Sequence, residues 1–210
     1  MVAHFVALFF TGFIVYTAAP GSSLFSWHPT LMAIAFLLLM FEGLLVFSPI
    51  SSLVPRQSRA TKVTLHWMLQ VTSLTCAIGG FAAIYYNKEI NNKEHFTSWH
   101  GLIGMSAVGY SCMQMLGGSV LKYPTLASIL RIKLKLADLK IVHATSGLVS
   151  FILVCVSFML AMFSNWFCKN VTGTTWYACL GCISCILFII MNQITSTYLP
   201  KVKSRKRVAH

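Results

Sequence analysis

The stretch Ser26-Trp27-His28 opens an apolar run that reaches Phe47, and Ser98-Trp99-His100 opens another apolar run later in the chain. Two further histidines, His66 and His143, lie near the starts of two other apolar runs. Ionisable side chains are rare inside apolar segments of membrane-spanning length, and they usually serve a function there. The repeated triplet and the four histidines therefore decide how the rest of the chain is interpreted.

The composition is typical of a membrane protein rather than of a soluble domain. Of the 210 residues, 57% are hydrophobic and 10% are charged, whereas soluble domains carry about 25% charged residues. An apolar stretch of about 20 residues is long enough to cross the hydrocarbon core of a bilayer. The sequence predicts an all-α integral membrane protein in which residues 1–210 form one domain, with six spans at about 2–19, 28–47, 63–86, 99–121, 141–163 and 175–198.

The positive charges are divided unevenly between the two sides of this predicted domain. Segments 48–62, 122–140 and 200–210 carry three, five and five of the 16 Lys and Arg residues, and segments 87–98 and 164–174 carry two and one. We call the first group the basic side and the second group the outer side. Because loops rich in Lys and Arg remain in the cytosol, we expect the basic side to be cytosolic. This distribution between apolar spans argues against a nucleic-acid partner.

The directions of the spans predict which histidines can meet. Spans two and four start at the outer side with His28 and His100, whereas spans three and five start at the basic side and carry His66 and His143 near their starts. With a rise of about 1.5 Å per residue, any other pairing would have to reach across most of the membrane. We therefore expect an outer pair and a basic-side pair within a four-helix core of spans two to five. The sequence separations within the two pairs are nearly equal, which indicates two copies of one helical hairpin.

Two facing imidazoles are typical axial ligands of haem iron, whereas a four-coordinate zinc site needs further ligands that neither pair has nearby. The sequence contains no Cys-x-x-Cys-His attachment motif. We therefore predict two non-covalent b-type haems with a bis-histidine iron in each. Small residues beside the histidines would allow a flat macrocycle to approach closely, and they are Gly101, Gly104, Ala144 and Gly147.

Several longer motifs accompany the four histidines. They include Ser22-Ser23-Leu24-Phe25-Ser26-Trp27-His28-Pro29, Glu42-Gly43-Leu44-Leu45-Val46-Phe47-Ser48-Pro49, His143-Ala144-Thr145-Ser146-Gly147-Leu148-Val149 and Ile190-Met191-Asn192-Gln193. Together they resemble the cytochrome b561 family of transmembrane ascorbate-dependent and ferric reductases, and chiefly its animal members. The resemblance covers essentially the whole chain. It implies ascorbate as the cytosolic electron donor, monodehydroascorbate radical or Fe(3+) as the outer acceptor, a homodimer, and a location in the endoplasmic reticulum or a cytoplasmic vesicle membrane.

Positive side chains near the basic-side histidines are candidates for attracting the ascorbate anion. Lys62 lies four residues before His66, and Lys140 lies three residues before His143, so each shares a helical face with its histidine. We predict that Lys62 and Lys140 take part in catalysis. Further candidates for substrate binding are Arg59, Lys133 and Lys135.

On the outer side, His95 lies five residues before His100. Histidine exchanges protons near neutral pH, so His95 is a candidate for catalysis at the acceptor. Within the second span, Glu42 lies about 21 Å from His28 by helical rise, near the level of the basic-side pair. We expect Glu42 to form a hydrogen bond to a haem edge or to a neighbouring helix.

Two other functions are compatible with these residues. The protein could be a haem b membrane anchor that passes on electrons from a protein partner, or a transporter that uses the histidines for a non-haem metal or for protons. Reduction of the purified chain by ascorbate alone would argue against the anchor. A reducible bis-histidine haem spectrum would argue against the transporter.

Overall fold

The computed structural model describes residues 1–129, 131 and 135–208, with the backbone alone at residues 124 and 199–208. The predicted all-α architecture is confirmed, because this described part of the chain contains helices, turns and loops but no strand. The helices are α1 (Val2–Ala18), α2 (Trp27–Met32), a π-helix (Ala33–Met40), α3 (Phe41–Leu45), α4 (Arg59–Ile90), α5 (Trp99–Lys122), α6 (Pro124–Ile129), α7 (Leu136–Ala161), α8 (Asn165–Asn170) and α9 (Gly173–Val208).

Within the described part of the chain, four helical segments are long and apolar enough to cross a membrane, and they are Trp27–Leu45, Arg59–Ile90, Leu136–Ala161 and Gly173–Tyr198. Segment Trp27–Leu45, which we call the central rod, joins α2, the π-helix and α3. The N-terminal helix α1 is apolar but has 17 residues, and α5 carries several Gly and Ser residues among its apolar ones. A count of six spans therefore remains a prediction.

The two copies of the Ser-Trp-His triplet begin helices in different ways. Ser98 caps α5, because its hydroxyl accepts a hydrogen bond of 3.2 Å from the Gly101 N–H. Ser26 is buried and instead holds the preceding loop, since its Oγ accepts from the Gly21 N–H at 3.1 Å and donates to the Ser23 carbonyl at 2.7 Å. In both copies the helix begins at the tryptophan, which places the following histidine in the first turn.

The helices pack as two hairpins and a flanking pair. The central rod packs against α4, α5 packs against α7, and contacts between α4 and α5 join these two hairpins. A stacked contact between Phe41 and Phe151, with centroids 6.3 Å apart, joins them on the other side. Helices α1 and α9 pack against each other and against the central rod, while α9 also contacts α7. The four histidine-bearing helices therefore enclose the space between the two hairpins.

Side chains from α4 and α9 bind backbone carbonyls of the central rod. Two of these carbonyls belong to the π-helix, a wider helical form that is often found at functional sites. The donors and acceptors are Ser73 Oγ to Ala35 (2.6 Å), Gln70 Nε2 to Met40 (3.2 Å), His66 Nδ1 to Gly43 (2.8 Å) and Gln193 Nε2 to Leu44 (2.9 Å).

Candidate functional site

The outer ends of the two hairpins bring His28 and His100 together. The two ring centroids are 6.1 Å apart, and the ring planes are inclined at 75°. Each histidine lies in the first turn of its helix, directly after the tryptophan of the repeated triplet. The structure thus places side by side the two histidines that the span directions predict as the outer pair.

His66 and His143 meet in the same way toward the opposite end of the hairpins. Their ring centroids are 6.4 Å apart, and the ring planes are perpendicular at 90°. Along α4, His66 precedes Gly80, whose carbonyl contacts His28. The interval of about four helical turns between them corresponds to about 21 Å at a rise of about 1.5 Å per residue. The two pairs therefore lie at different depths along the same helices.

Backbone carbonyls orient three of the four imidazoles through Nδ1. His28 Nδ1 donates to the Gly80 carbonyl at 3.0 Å, and His66 Nδ1 donates to the Gly43 carbonyl at 2.8 Å. His100 Nδ1 donates to the Ser157 carbonyl at 3.0 Å. A carbonyl can only accept, so each Nδ1 carries a proton, and in the neutral imidazole Nε2 then keeps a lone pair that can bind a metal.

These supporting contacts follow the repeat of the two hairpins. His28 and His66 are held by carbonyls of each other's helices within the first hairpin. In the second hairpin, His100 is held by the carbonyl of Ser157. The separation between Gly80 and Ser157 in the sequence equals the separation between His66 and His143. The ring of His143 packs against Gly118 of the facing helix. Each histidine is thus supported within its own hairpin, whereas each pair joins the two hairpins.

A cavity of about 540 Å³ extends from the basic-side pair into the space between the hairpins. Both His66 and His143 line it, as do Ala144 and Gly147, two of the four small residues predicted beside the histidines. The third, Gly104, instead faces Ser157, whose Oγ would lie 3.1 Å from a Cβ at that position. Phe36, Met40 and Leu44 of the central rod complete an apolar wall. The cavity is thus large and apolar where a flat group could lie between the two imidazoles.

The structure separates the predicted basic candidates into two groups. Arg59 and Lys140 line the cavity beside the basic-side pair. Lys62 is not among the lining residues, and its Nζ donates to the Pro55 carbonyl at 3.1 Å. Lys135 is exposed and immediately precedes α7, and Lys133 lies outside the described residues. Helical register alone therefore does not identify which cations face the cavity.

Lys122 also lines this cavity and was not among the predicted candidates. Its Nζ donates to Thr64 Oγ1 at 2.8 Å and lies 5.6 Å from the centroid of the Trp67 ring. Because Lys122 ends α5 and the cavity histidines lie on α4 and α7, no spacing within one helix connects them. A search for cations at the basic-side ends of all four core helices would have included it.

On the outer side, His95 lies within an aromatic cluster before α5. Its ring stacks on Tyr85 with centroids 4.2 Å apart, and its Nε2 is 2.7 Å from Glu89 Oε1. The side chain of His95 is 22% exposed. The structure therefore places this imidazole in a defined position on the same side as the outer pair, with a carboxylate partner that the sequence reasoning did not assign to it.

Glu42 binds a neighbouring helix, which is one of the two partners expected for it. Both carboxylate oxygens lie 2.8 Å from Nδ1 of His4 in α1, and Nε2 of His4 lies 2.6 Å from the Ser51 carbonyl oxygen. This contact fastens α1 to the central rod one residue before Gly43. The position of His4 near the start of the first apolar run does not by itself indicate that it binds Glu42.

The candidate metal-binding side chains face one another as pairs of imidazoles. Among the described residues, no group of three or more His, Cys, Asp or Glu side chains is arranged to hold a metal ion. A metal with four equatorial ligands of its own, as in haem, needs only two axial donors from the protein. Two facing imidazoles are therefore better suited to haem than to a bare zinc ion.

The chain is similar to known proteins over most of its length. The family model for eukaryotic cytochrome b561 matches residues 27–168. The chain is 46% identical over 206 residues to the mouse protein named transmembrane reductase CYB561D2, covering 98% of this chain and 89% of that protein, and the human protein of the same name gives the same values. The mouse protein named probable transmembrane reductase CYB561D1 is 41% identical over 203 residues, covering 97% of this chain and 87% of that protein. The chain therefore belongs to the cytochrome b561 family.

Proposed function

We propose that this protein transfers electrons across a membrane through two b-type haems. The donor is ascorbate on the cytosolic, basic side, and the acceptor is monodehydroascorbate radical or Fe(3+) on the outer side. Membership of the cytochrome b561 family implies haem b binding, and the relatives are named as transmembrane reductases. The observation that carries the finer proposal is the presence of two facing imidazole pairs at different depths of the same four helices.

The spacing of the imidazoles supports one haem iron between each pair. Metal–nitrogen bonds to imidazole are about 2.0–2.1 Å and a ring centroid lies about 1.1–1.2 Å beyond its nitrogen, so two rings across one ion would have centroids about 6.4 Å apart. The observed separations are 6.1 Å and 6.4 Å. His28 with His100, and His66 with His143, are therefore the proposed axial ligands. Haem held by these histidines would supply one-electron redox chemistry there.

The backbone carbonyls that accept from Nδ1 determine how three of the imidazoles can act as metal ligands. They keep the proton on Nδ1, leave the lone pair of Nε2 for a metal and make the ligand more basic. Gly43, Gly80 and Ser157 are the residues proposed for this role, because their carbonyls lie 2.8–3.0 Å from the respective Nδ1 atoms. A ligand oriented in this way requires little rearrangement when it binds metal.

On the cytosolic side, positive residues would bind the donor. Ascorbate is a monoanion at neutral pH, and it releases one electron and one proton when it becomes the monodehydroascorbate radical. Arg59 and Lys140 line the cavity that contains His66 and His143, so they would raise the local concentration of this anion. Lys62, Lys133 and Lys135 remain predicted contributors to the same positive field.

On the outer side, we propose that His95 supplies the proton that accompanies reduction of the radical. Monodehydroascorbate takes up one electron and one proton to become ascorbate, whereas Fe(3+) takes up one electron to become Fe(2+). His95 is partly exposed, and Glu89 fixes its Nε2 while Tyr85 supports one face of the ring. Such a fixed imidazole can hold a proton for an acceptor that arrives from solution.

The proposal includes a cytosolic location for the loops that carry most of the positive charge. Four apolar helices and the reductase relatives indicate a membrane protein. The resemblance points further to the endoplasmic reticulum or to cytoplasmic vesicles, and to a homodimer. With the basic side in the cytosol, the electrons would leave on the outer side beside His28 and His100.

Substitution of each histidine by alanine tests the proposal. We expect His66→Ala and His143→Ala to lose the basic-side haem and with it reduction by ascorbate. We expect His28→Ala and His100→Ala to retain reduction by ascorbate but to lose electron delivery to an acceptor enclosed on the outer side of sealed vesicles. Haem content, the absorption spectrum and both rates are measured for each variant. Retention of both haems by all four variants would falsify the proposal.

A further inference from the structure

Lys122 is held in a defined position at the end of α5. Its Nζ lies 5.6 Å from the centroid of Trp67 and 5.2 Å from that of Tyr123, and it donates a hydrogen bond of 2.8 Å to Thr64 Oγ1. The indole of Trp67 is fixed in turn, because its Nε1–H donates to Ser119 Oγ at 3.0 Å. A long and flexible side chain is therefore restrained by contacts from α4 and from the residue that follows α5.

The groups that restrain Lys122 are neutral. A hydroxyl uses one of the three N–H donors of the ammonium. The aromatic rings attract the cation through their negative faces but leave its net charge in place. These contacts favour a particular position of the ammonium, and among the described residues they leave two of its donors and its net charge available.

This cation lies on the wall of the cavity that contains the basic-side histidines. Thr64, Trp67 and Lys122 line the cavity together with Arg59 and Lys140. Tyr123 next to it follows the end of α5 on the basic side and is 41% exposed, so the cluster can be reached from outside the protein. Three cations that line the same cavity produce a positive electrostatic field that attracts anionic oxygen.

We propose that Lys122, held beside Trp67 and Tyr123, is a binding site for an anionic oxygen of the electron donor. The inference rests on the proposed function and adds a contact residue at the basic-side end of α5, where the sequence predicts none. An anionic oxygen in this cavity can also belong to a carboxylate of haem itself. The exposure of the aromatic cluster favours the donor, and the experiment separates the two sources.

The test uses the full-length protein purified with its haem. The rate of haem reduction is measured over a range of ascorbate concentrations for the wild type, Lys122→Gln and Arg56→Gln. Arg56 is an exposed residue on the basic side and does not line the cavity, so its substitution removes the same charge from a different place. We expect the KM for ascorbate to rise about tenfold in Lys122→Gln, as for loss of one charged hydrogen bond, and to change little in Arg56→Gln.

Two further measurements separate donor binding from an effect on haem. Reduction by a neutral hydroquinone should be equally fast in the wild type and in Lys122→Gln, because a neutral donor gains nothing from the ammonium. The haem absorption spectrum and the haem-to-protein ratio should also be unchanged. Lys122→Arg should keep most of the ascorbate affinity, since a guanidinium also binds anions and stacks on aromatic rings.

Several results would overturn the inference. An unchanged KM for ascorbate in Lys122→Gln would do so directly. Loss of haem or an altered spectrum in Lys122→Gln would assign the ammonium to a haem carboxylate instead. If the wild-type protein carries haem but ascorbate does not reduce it, both this inference and the proposed donor are wrong, whereas normal reduction with a KM independent of Lys122 leaves the proposed function intact.

Discussion

The missing side chain of Gly118 leaves room for the ring of His143. A Cβ added at Gly118 would lie 3.1 Å from Cε1 and 3.4 Å from Nε2 of that ring, whereas a Cβ at the adjacent Gly117 would meet nothing within 4 Å. Both glycines lie inside α5, where alanine favours the helix by about 1 kcal/mol. The two positions therefore differ mainly in what a methyl group would displace.

We expect Gly118→Ala to displace His143 and to lower the occupancy of the basic-side haem. Overpacking of this kind costs about 1–3 kcal/mol, which exceeds the gain in helix propensity. Gly117→Ala should keep full haem content and should be at least as stable as the wild type. The haem-to-protein ratio and the thermal midpoint of the purified proteins measure both effects. Equal haem loss in the two variants would contradict this explanation of Gly118.

Single residues differ in how far the sequence predicts their roles. The histidine pairs follow from depth, because only His28 with His100 and His66 with His143 are within reach of each other. The carbonyls that hold them are not marked in the sequence, since every residue carries the same backbone acceptor. Lys62 shares a helical face with His66, yet its Nζ contacts the Pro55 carbonyl rather than the cavity. Helical register identifies the helix face on which a residue lies, whereas the packing of the helices determines what that face contacts.

At the scale of elements, the π-helix in the central rod is joined to α4 by a buried hydroxyl. Ser73 is fully buried, and its Oγ donates to the Ala35 carbonyl at 2.6 Å. On α5, the exposed Ser106 bonds instead to the Leu102 carbonyl of its own helix at 2.9 Å. The two hydroxyls therefore differ in whether they connect two helices.

We expect Ser73→Ala to destabilise the protein by about 1 kcal/mol, since hydrogen bonds between membrane helices average about 0.6 kcal/mol and reach about 1.7 kcal/mol. Ser106→Ala should have little effect, because it removes a local bond on an exposed surface. Thermal unfolding of the detergent-solubilised proteins provides the comparison. Equal midpoints for the two variants would show that the contact between the π-helix and α4 contributes nothing measurable.

The sequence predicts the boundaries of the helices and the contacts between them to different extents. The apolar run at 63–86 marks the middle of α4, but the helix extends from Arg59 to Ile90 because polar residues continue it beyond the apolar segment. The partner of Glu42 could not be chosen from the sequence, because His4 lies far from it in the chain, on α1. Hydropathy marks the length of an apolar segment, whereas contacts between helices depend on how they pack.

For the whole molecule, the arrangement of the helices places α8 on the outer side. The C-terminal part of α7 contains Ser157, which contacts His100, and α8 follows directly. Cys168 in α8 is exposed, whereas each of the other six cysteines is buried or intermediate. It can therefore report on which side of the membrane the outer loops lie.

We expect a membrane-impermeant maleimide to label Cys168 only from the side opposite the basic loops. Sealed vesicles of known orientation provide the two directions of access, and mass spectrometry identifies the labelled residue. Cys168→Ser is the control and should remain unlabelled from both sides. Labelling of Cys168 from the cytosolic side would reverse the proposed direction of electron transfer.

The support of each histidine within its own hairpin has a consequence for biosynthesis. The ribosome completes the central rod and α4 before α5 and α7, and both histidines of this first half already have their acceptor carbonyls in Gly80 and Gly43. Their orientation therefore does not wait for the second half of the chain. A haem that needs one ligand from each half can be secured only after the second half has inserted. We expect that, during translation, the histidines of the first hairpin are oriented before the cofactor is bound.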